Sequence, residues 1–485
     1  MASFQAVTDL LSRHGQEHLL ACYQELPAEA QAGLLEQIAD IDFDRLDGLI
    51  RTHVLAAPEA PVPDNVAPAP ILPARPAEGS HEGGAESYAA ARRRGEELIA
   101  AGKVAALAVA GGDGSRLGYS GPKGCFPVTP VKRKPLFQVF AEQVLATEKR
   151  YGGAVPWYVM TSQTNHQAIG EFFESNGYFG LDPGEVFFFA QGRMPAISLA
   201  GKVLLAAPGR IAWNPDGHGG CLTALARSGA LDDMARRGIE QISYYQVDNP
   251  LVRCVDPLFI GLHAAAGADM SAKALPKRDP LEKVGNFCLS DGKVVVIEYS
   301  DMPEELAWAT GPDGKRLFDA GSIAIHVLAR SFVEHLAVGG ARRLPFHRAL
   351  KSVAHAGPDG KVVEPAEPNA VKLEMFIFDA LPLAGKAVLL ETIRGEEFSP
   401  LKKAEGDDSL VTCLSDQVAR AARWLEAAGV AVPRDADGEP DATIEISPLL
   451  ALEAGDLAGR IDSGVTVKPG EKVYFDESGK ASVVA

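Results

Sequence analysis

No apolar run in the chain is longer than a strand without a break by Gly or Pro, and no basic stretch leads into an apolar core at the N-terminus. Neither a membrane-spanning helix nor a signal peptide is therefore expected. Positive charge is scarce as well: 47 Lys and Arg stand against 64 Asp and Glu, a formal net charge of −17. Non-specific nucleic-acid binding relies on a basic surface and is excluded, so an anionic substrate has to meet local positive charge. The six cysteines, at 22, 125, 221, 254, 288 and 413, form no Cys-x-x-Cys pair and no zinc-ligand spacing. Free thiols in a reducing cytoplasm are expected. No internal repeat is present. With 46% hydrophobic and 23% charged residues over 485 positions, the balance is globular and leaves room for two to four domains.

Two common phosphate-loop templates are also missing. Gly112, Gly114 and Gly118 are one residue too widely spaced for the dinucleotide fingerprint, and Pro122 soon follows. A P-loop needs Gly-Lys-Ser/Thr, whereas Lys123 follows a proline and precedes Gly124. What is there is Leu107-Ala-Val-Ala-Gly-Gly-Asp-Gly-Ser-Arg-Leu-Gly118, then Tyr-Ser-Gly-Pro-Lys123. Residues 104–110 read as a buried parallel strand that stops at Gly111, Gly112 and Gly114. Without Cβ atoms there, peptide N–H groups can approach a phosphate, and Arg116 and Lys123 add positive charge beside it. The spacing resembles the signature of nucleotidyltransferases that load a sugar 1-phosphate onto a nucleoside triphosphate.

Along the chain, apolar positions at helical spacing (Leu10, Leu11, Leu19, Leu20, Leu34, Ile38, Leu46) predict a helical N-terminal domain over residues 1–55. Residues 56–83 are rich in Pro and Ala and predict an extended linker. A central nucleotidyltransferase domain is expected over 84–404. Its strands at 104–110, 156–160, 186–189 and 242–247 alternate with helices near 136–150, 165–175 and 221–237, a rhythm that implies a parallel sheet with ligands at the strand carboxyl ends. From 270 to 325 the pattern turns strand-rich, with 293–299 and 322–328 clearest and a turn at Ser290-Asp-Gly-Lys293. Residues 405–485 predict a C-terminal α+β domain, with a helix near 415–428 and strands at 465–467 and 471–475.

These blocks resemble one family, the eukaryotic-type UDP-sugar pyrophosphorylases, and within it the UDP-N-acetylhexosamine pyrophosphorylases. The resemblance runs through Gly15-Gln-Glu-His-Leu-Leu20, the loop above, Trp157-Tyr-Val-Met-Thr-Ser162, Gln191-Gly-Arg-Met-Pro-Ala196 and Pro215-Asp-Gly-His-Gly-Gly220. It continues in Val247-Asp-Asn249, Glu298-Tyr-Ser300, Phe378-Asp379, Glu397-Phe-Ser-Pro-Leu-Lys402 and Glu445-Ile-Ser-Pro-Leu449. It implies an α/β fold: a Rossmann-like mixed sheet of the nucleotide-sugar transferase type, flanked by the helical N-terminal and small α+β C-terminal domains. It also implies a cytoplasmic, Mg²⁺-dependent uridylyltransferase that joins UTP and N-acetylglucosamine 1-phosphate into UDP-N-acetylglucosamine and pyrophosphate. The protein would act as a monomer or weak homo-oligomer, with no nucleic-acid or membrane partner. The displacement is direct and in line, so positioning and charge neutralisation carry it and no nucleophilic triad is needed.

By this resemblance Arg116, Lys123 and Lys402 are the catalytic cations. Gly111, Gly112, Gly114, Gln191, Gly217 and Asp248 would bind the nucleotide, with Gln191 on the uracil edge and Asp248 holding Mg²⁺. His218, Gly285, Glu298, Asp319 and Ser322 would bind the sugar. Asp379 is a second metal candidate, and a helix cap is the plain alternative for Asp248. The Lys132-Arg-Lys134 run reads as a solvated loop, and His326, His335, His347 and His355 show no metal spacing. The chain departs from the family where the sugar is chosen. N-acetylhexosamine relatives carry Asn in place of His218, and an Asn-Ala-Gly-Asn turn in place of Asp319-Ala-Gly-Ser322. A glucose-1-phosphate or broad UDP-sugar enzyme is thus the alternative substrate reading, and a catalytically silent nucleotide-sugar-binding regulator the alternative of another class.

Overall fold

The computed structural model describes residues 3–56, 62–63, 65–76, 84–338, 344–357, 359–462 and 464–484. Two compact units are built from alternating stretches of chain. The smaller comprises Met1–Pro61, Gln191–Cys221 and Leu344–Asp379, and the larger Val62–Ala190, Leu222–Arg343 and Ala380–Ala485.

In the smaller unit, helices α1 (Phe4–His14), α2 (Ala28–Ala39) and α3 (Phe43–Leu49) bury Leu11, Leu34, Ile38 and Leu46, as the spacing predicts. Ser3 and Asp42 cap α1 and α3 by accepting from the amides of Ala6 and Arg45. Two glutamines tie these helices to later chain. Gln16 donates to Gly201 O and accepts from Val203 N, both at 3.0 Å, and Gln37 does the same with Gly209 O (3.1 Å) and Ile211 N (3.0 Å). Four small sheets among the described residues complete the unit: Arg193–Pro195 with Trp213–Pro215, His347–Lys351 with Ala370–Glu374 and Ile197–Ser198, Leu205–Ala207 with Arg210–Ile211, and His355–Ala356 with Val362–Val363.

The larger unit is built on a mixed sheet of strands β1 (Val66–Pro68), β2 (Val104–Val109), β3 (Trp157–Thr161), β4 (Val186–Ala190), β5 (Gln241–Gln246), β6 (Met270–Pro276), β7 (Gly285–Ser290), β8 (Lys293–Ile297), β9 (Ala320–Ala329) and β10 (Ala387–Glu391). The spatial order is β1-β7-β9-β5-β2-β3-β4, with β6 pairing β9 and β10, and β8 pairing β7. Strands β5, β2, β3 and β4 are parallel, and β9 joins β5 antiparallel. Burial on both faces explains why β2 and β3 read as continuous apolar runs. The β7–β8 turn is the Asp291-Gly292 pair, both with positive φ (49° and 75°) as a tight hairpin requires.

Helices α4 (Ala85–Ala100), α5 (Leu136–Tyr151), α6 (His166–Ser175), α7 (Cys221–Arg227), α8 (Ala230–Arg237) and α9 (Pro257–Ala266) provide the connections and cover. The single helix expected over 221–237 is two, because Gly229 takes φ +79° and breaks it. Helices α4 and α9 touch backbone to backbone: a Cβ at Gly95 would lie 1.8 Å from Pro257 O, and one at Gly261 1.7 Å from Ala91 O. The expected 56–83 linker is partly outside the described residues, at 57–61, 64 and 77–83; of the rest, β1 pairs with β7 and Leu72 bridges Leu390.

The tail has a core of its own around Ala422, Leu425, Ile444, Leu457 and Phe475. Helix α10 (Leu410–Ala427) starts five residues before the expected 415, at a capping box of Ser409 and Thr412. Thr443–Ile446, Lys472–Phe475 and Ala481–Val483 form a three-stranded sheet, but 465–467 is not a strand. Val467 is buried there without ladder pairing, so its apolar character reports packing.

Candidate functional site

In the larger unit, the phosphate loop leaves the carboxyl end of β2 beside the turn that follows β5, since Val109 pairs with Gln246 and Val247 N donates to Val109 O at 3.1 Å. The loop closes on itself through Gly114 N to Gly121 O (2.8 Å), Tyr119 N to Gly114 O (3.1 Å) and Lys123 N to Gly112 O (3.0 Å). The amides of Gly111 and Gly112 donate to no described residue and are open to an anion, while Gly111 O is fixed by Asn165 Nδ2 at 3.1 Å. Glycine is required at places the sequence reading did not single out. Gly118 and Gly121 have φ of +69° and +147°. Gly114 is needed for space instead, as a Cβ there would lie 2.7 Å from the Tyr119 ring.

Three of the predicted groups converge on Leu401. Lys123 Nζ donates to Leu401 O at 3.3 Å, Leu401 N donates to Asp248 O at 2.7 Å, and Lys402 is the next residue. The side chains of Arg116, Asp248 and Lys402 make no hydrogen bond or ion pair with a described residue. Asp248 caps no helix, because Asp256 takes that role for α9 by accepting from Leu258 N at 3.0 Å. No group of three or more His, Cys, Asp or Glu side chains able to hold a metal occurs among the described residues. One unengaged carboxylate fits Mg²⁺, which takes most of its ligands from phosphate and water. Asp379 is committed elsewhere, to His347 Nε2 at 2.8 Å.

The candidate sugar residues of the larger unit also meet. Gly285 lies opposite Ser322 in the β7–β9 pairing. A Cβ at Gly285 would fall 2.6 Å from Val296 Cγ1 and 3.2 Å from Glu298 Oε1, so only glycine fits at this close approach. Asp319 pairs with Arg316 at 2.6 Å; burial nevertheless pushes its carboxyl above the usual range, against the pull of Arg316 and Lys277. The 319–322 segment is not a turn, since Ala320 opens β9. Lys277, absent from the sequence reading, is buried under this segment, donating to Pro280 O (2.7 Å) and Asn286 Oδ1 (2.9 Å), and burial lowers its pKa.

In the smaller unit, Gln191 is buried and its neighbour Gly192 O accepts from Asp216 N at 3.2 Å, which brings Gln191 close to Gly217. Gly217 has φ +87°, and a Cβ on it would lie 2.3 Å from Met375 O. The adjacent His218 is half-buried. Its Nδ1 accepts from Ile377 N at 3.2 Å, which makes Nε2 the protonated nitrogen, and burial together with His347 pushes the imidazole down to about 4. His218 stacks on Phe376 (centroids 5.3 Å apart), Phe376 stacks on His347 (4.5 Å), and the Phe378 ring lies 5.9 Å from His218. These aromatic neighbours were legible only as an apolar run.

One reading is corrected outright. Lys134 is buried, with Nζ 2.7 Å from Glu142 Oε2 and 3.0 Å from the Tyr474 hydroxyl, so the Lys132-Arg-Lys134 run is not simply solvated.

Residues 85–427 match the family described as UTP–glucose-1-phosphate uridylyltransferase. The chain is 39% identical over 484 residues to human UDP-N-acetylhexosamine pyrophosphorylase-like protein 1, covering 94% of each chain. It is 37% identical over 376 residues to the UDP-N-acetylglucosamine pyrophosphorylase of Saccharomyces cerevisiae, covering 76% of this chain and 77% of that one. Among solved structures, the uridine diphosphate N-acetylglucosamine pyrophosphorylase of Trypanosoma brucei, in complex with inhibitor, superposes with a TM-score of 0.81 at 26% identity and 94% coverage of both chains. A glycine loop on β2, a carboxylate after β5 and two lysines joined through Leu401 thus sit in a sequence that matches over most of its length, and the chain belongs to the UTP–glucose-1-phosphate uridylyltransferase family.

Proposed function

We propose that the protein is a uridylyltransferase that joins UTP and N-acetylglucosamine 1-phosphate to give UDP-N-acetylglucosamine and pyrophosphate. The observation that carries the reading is the convergence of Lys123, Asp248 and the residue preceding Lys402 at the carboxyl ends of β2 and β5, beside the open amides of Gly111 and Gly112. The sugar phosphate oxygen is already an anion, so it needs no general base. The protein has to hold it in line with the α-phosphorus of UTP and neutralise the charge that gathers on the leaving pyrophosphate.

In this reading Gly111 and Gly112 donate to phosphate oxygens, Arg116 and Lys123 neutralise the β- and γ-phosphates, and Lys402 holds the phosphate that bridges uridine and sugar. Lys123 exchanges its bond to Leu401 O for the incoming phosphate. Gln191 pairs with the uracil edge, and Gly217 keeps the space beside it. Asp248 would hold Mg²⁺, which when bound would supply Lewis-acid neutralisation of phosphate charge. Glu298 accepts from sugar hydroxyls, and Gly285 leaves room for the acetamido group. His218 in place of an amide favours glucose 1-phosphate as the second substrate. We assign the protein to the cytoplasm, in line with six free thiols.

The test is a panel of sugar 1-phosphates with UTP and Mg²⁺, read as pyrophosphate release. N-acetylglucosamine 1-phosphate is expected to give the highest kcat/KM, and a higher value for glucose 1-phosphate overturns the named product. No turnover with any sugar 1-phosphate overturns the reaction.

A further inference from the structure

Residues 398–402 pass the turn after β5 outside any strand or helix, yet they are held to two consecutive residues of that turn. Asn249 Nδ2 donates to Glu397 O at 2.7 Å, and Asn249 Oδ1 accepts from Ser399 N at 3.1 Å. Leu401 N then donates to Asp248 O at 2.7 Å. The bonds fall at 397, 399 and 401, the alternation of a strand ladder, with one side-chain amide replacing two backbone partners. Asn249 is buried at 5% exposure, and its Oδ1 also accepts from Leu251 N at 3.3 Å.

Both ends of the segment are anchored. The Glu397 carboxylate takes two 2.6 Å bonds from Lys273 Nζ, which is 1% exposed, and a further one from the Thr392 hydroxyl. At the other end Leu401 O accepts from Lys123 Nζ at 3.3 Å, and Lys402 N donates to Asp408 O at 2.7 Å. Between these ends Ser399 Oγ donates to Asp416 Oδ2 at 2.6 Å and Cys413 Sγ to Ser399 O at 3.5 Å, which hold the span to α10, while among the described residues the Asn249 amide and the Asp248 carbonyl tie it to the turn after β5.

We propose that Asn249 is a positioning residue that holds residues 397–401 against the turn after β5 and so fixes where Lys402 stands relative to Asp248 and Lys123. What that placement serves rests on the uridylyltransferase reading; the clamp itself does not. An amide is needed because the site asks for one donor and one acceptor at once, and a carboxylate supplies only acceptors.

Asn249→Asp keeps the shape and loses the donor. The expected result is a loss of about 10- to 100-fold in kcat with the KM for UTP within about twofold, because a displaced cation is missed most as charge develops. In a Lys402→Ala background the same change should cost less than about twofold, since the two residues act through one another. Hydrogen exchange, read without substrate, should rise about tenfold or more at the Ser399 and Leu401 amides while β2 and β5 keep their protection. If Asn249→Asp does not fold, Asn249→Ser, which introduces no charge, carries the same readouts. Unchanged exchange at 399 and 401, or fully additive losses with Lys402→Ala, overturns the proposal. A wild type that releases no pyrophosphate defeats the uridylyltransferase reading alone, and the exchange result still decides the clamp.

Discussion

At the carboxyl ends of β2 and β5 the side chains of Arg116, Asp248 and Lys402 have no partner among the described residues. In the smaller unit His218 is bonded to the Ile377 amide and stacked on Phe376, and His347 is paired with Asp379. The larger unit keeps charges available and holds only their backbone in place. In the smaller unit His218 is held neutral, His347 and Asp379 are paired, and what lies beside them is aromatic rings and a closely packed Gly217. Charged groups kept free suit a ligand whose own charge moves during reaction, as on a leaving pyrophosphate. Fixed, uncharged surfaces suit recognition of parts that do not change, a base or a sugar ring.

The comparison breaks most sharply at Lys123. Lys123→Ala should lower kcat by about 10²-fold or more while weakening UTP binding far less, as steady-state kinetics beside calorimetric UTP titration would measure. Full kcat with weakened UTP affinity would make Lys123 a plain binding group and erase the contrast. Next comes Asp248→Asn, which keeps the shape but removes the charge. We expect at least about a tenfold loss at saturating UTP, with the Mg²⁺ requirement moved to higher concentration in a titration of activity. A Mg²⁺ profile like that of wild type would return Asp248 to the role of a turn residue.

Shape should dominate in the smaller unit. Gly217→Ala puts a methyl on a residue with φ +87° and 2.3 Å from Met375 O, so we expect about 2 kcal/mol of lost stability in urea unfolding and a UTP KM several-fold higher. An unchanged KM would detach Gly217 from the nucleotide. The smallest effect is that of His218→Asn, which should sharpen preference for N-acetylglucosamine 1-phosphate over glucose 1-phosphate by about three- to tenfold in kcat/KM. The same variant tests the protonation state. Because the native pKa lies near 4, below the unfolded 6.5, the unfolded chain binds the extra proton between those values. The stabilisation from neutral His218 is therefore complete above pH 6.5 and is lost as pH falls towards 4. Unfolding midpoints compared at pH 7 and 4.5 should differ less in His218→Asn than in wild type; equal differences would mean that His218 titrates normally.

The parallel core and the β2 loop could be read from sequence because both are local: buried strands give unbroken apolar runs, and glycines with Pro122 and Lys123 punctuate the turn. The juxtaposition of Gly285 with Ser322 could not, since it depends on the β7–β9 register over 37 positions of chain. His347 and Asp379 are likewise far apart in sequence, and nothing local to either one points to the other. Lys134 deceived because a run of three cations suggests water, although Glu142 lies two turns along the following helix and reaches back to it. The early start of α10 had a signal in Ser409 and Thr412, masked by the Gly- and Asp-rich stretch just before it. The convergence on Leu401 was implied only by family likeness, because no periodicity relates residue 123 to 401.

The three-part make-up of the smaller unit has a consequence for how the protein is made. A ribosome delivers α1 to α3 first, but Gln16 and Gln37 wait for backbone partners at 201–211, and His53 bonds to Phe346 O. Until residues 344–379 have emerged, α1 to α3 are a nascent segment still lacking the partners that complete their unit, exposed for most of translation to whatever chaperones meet it.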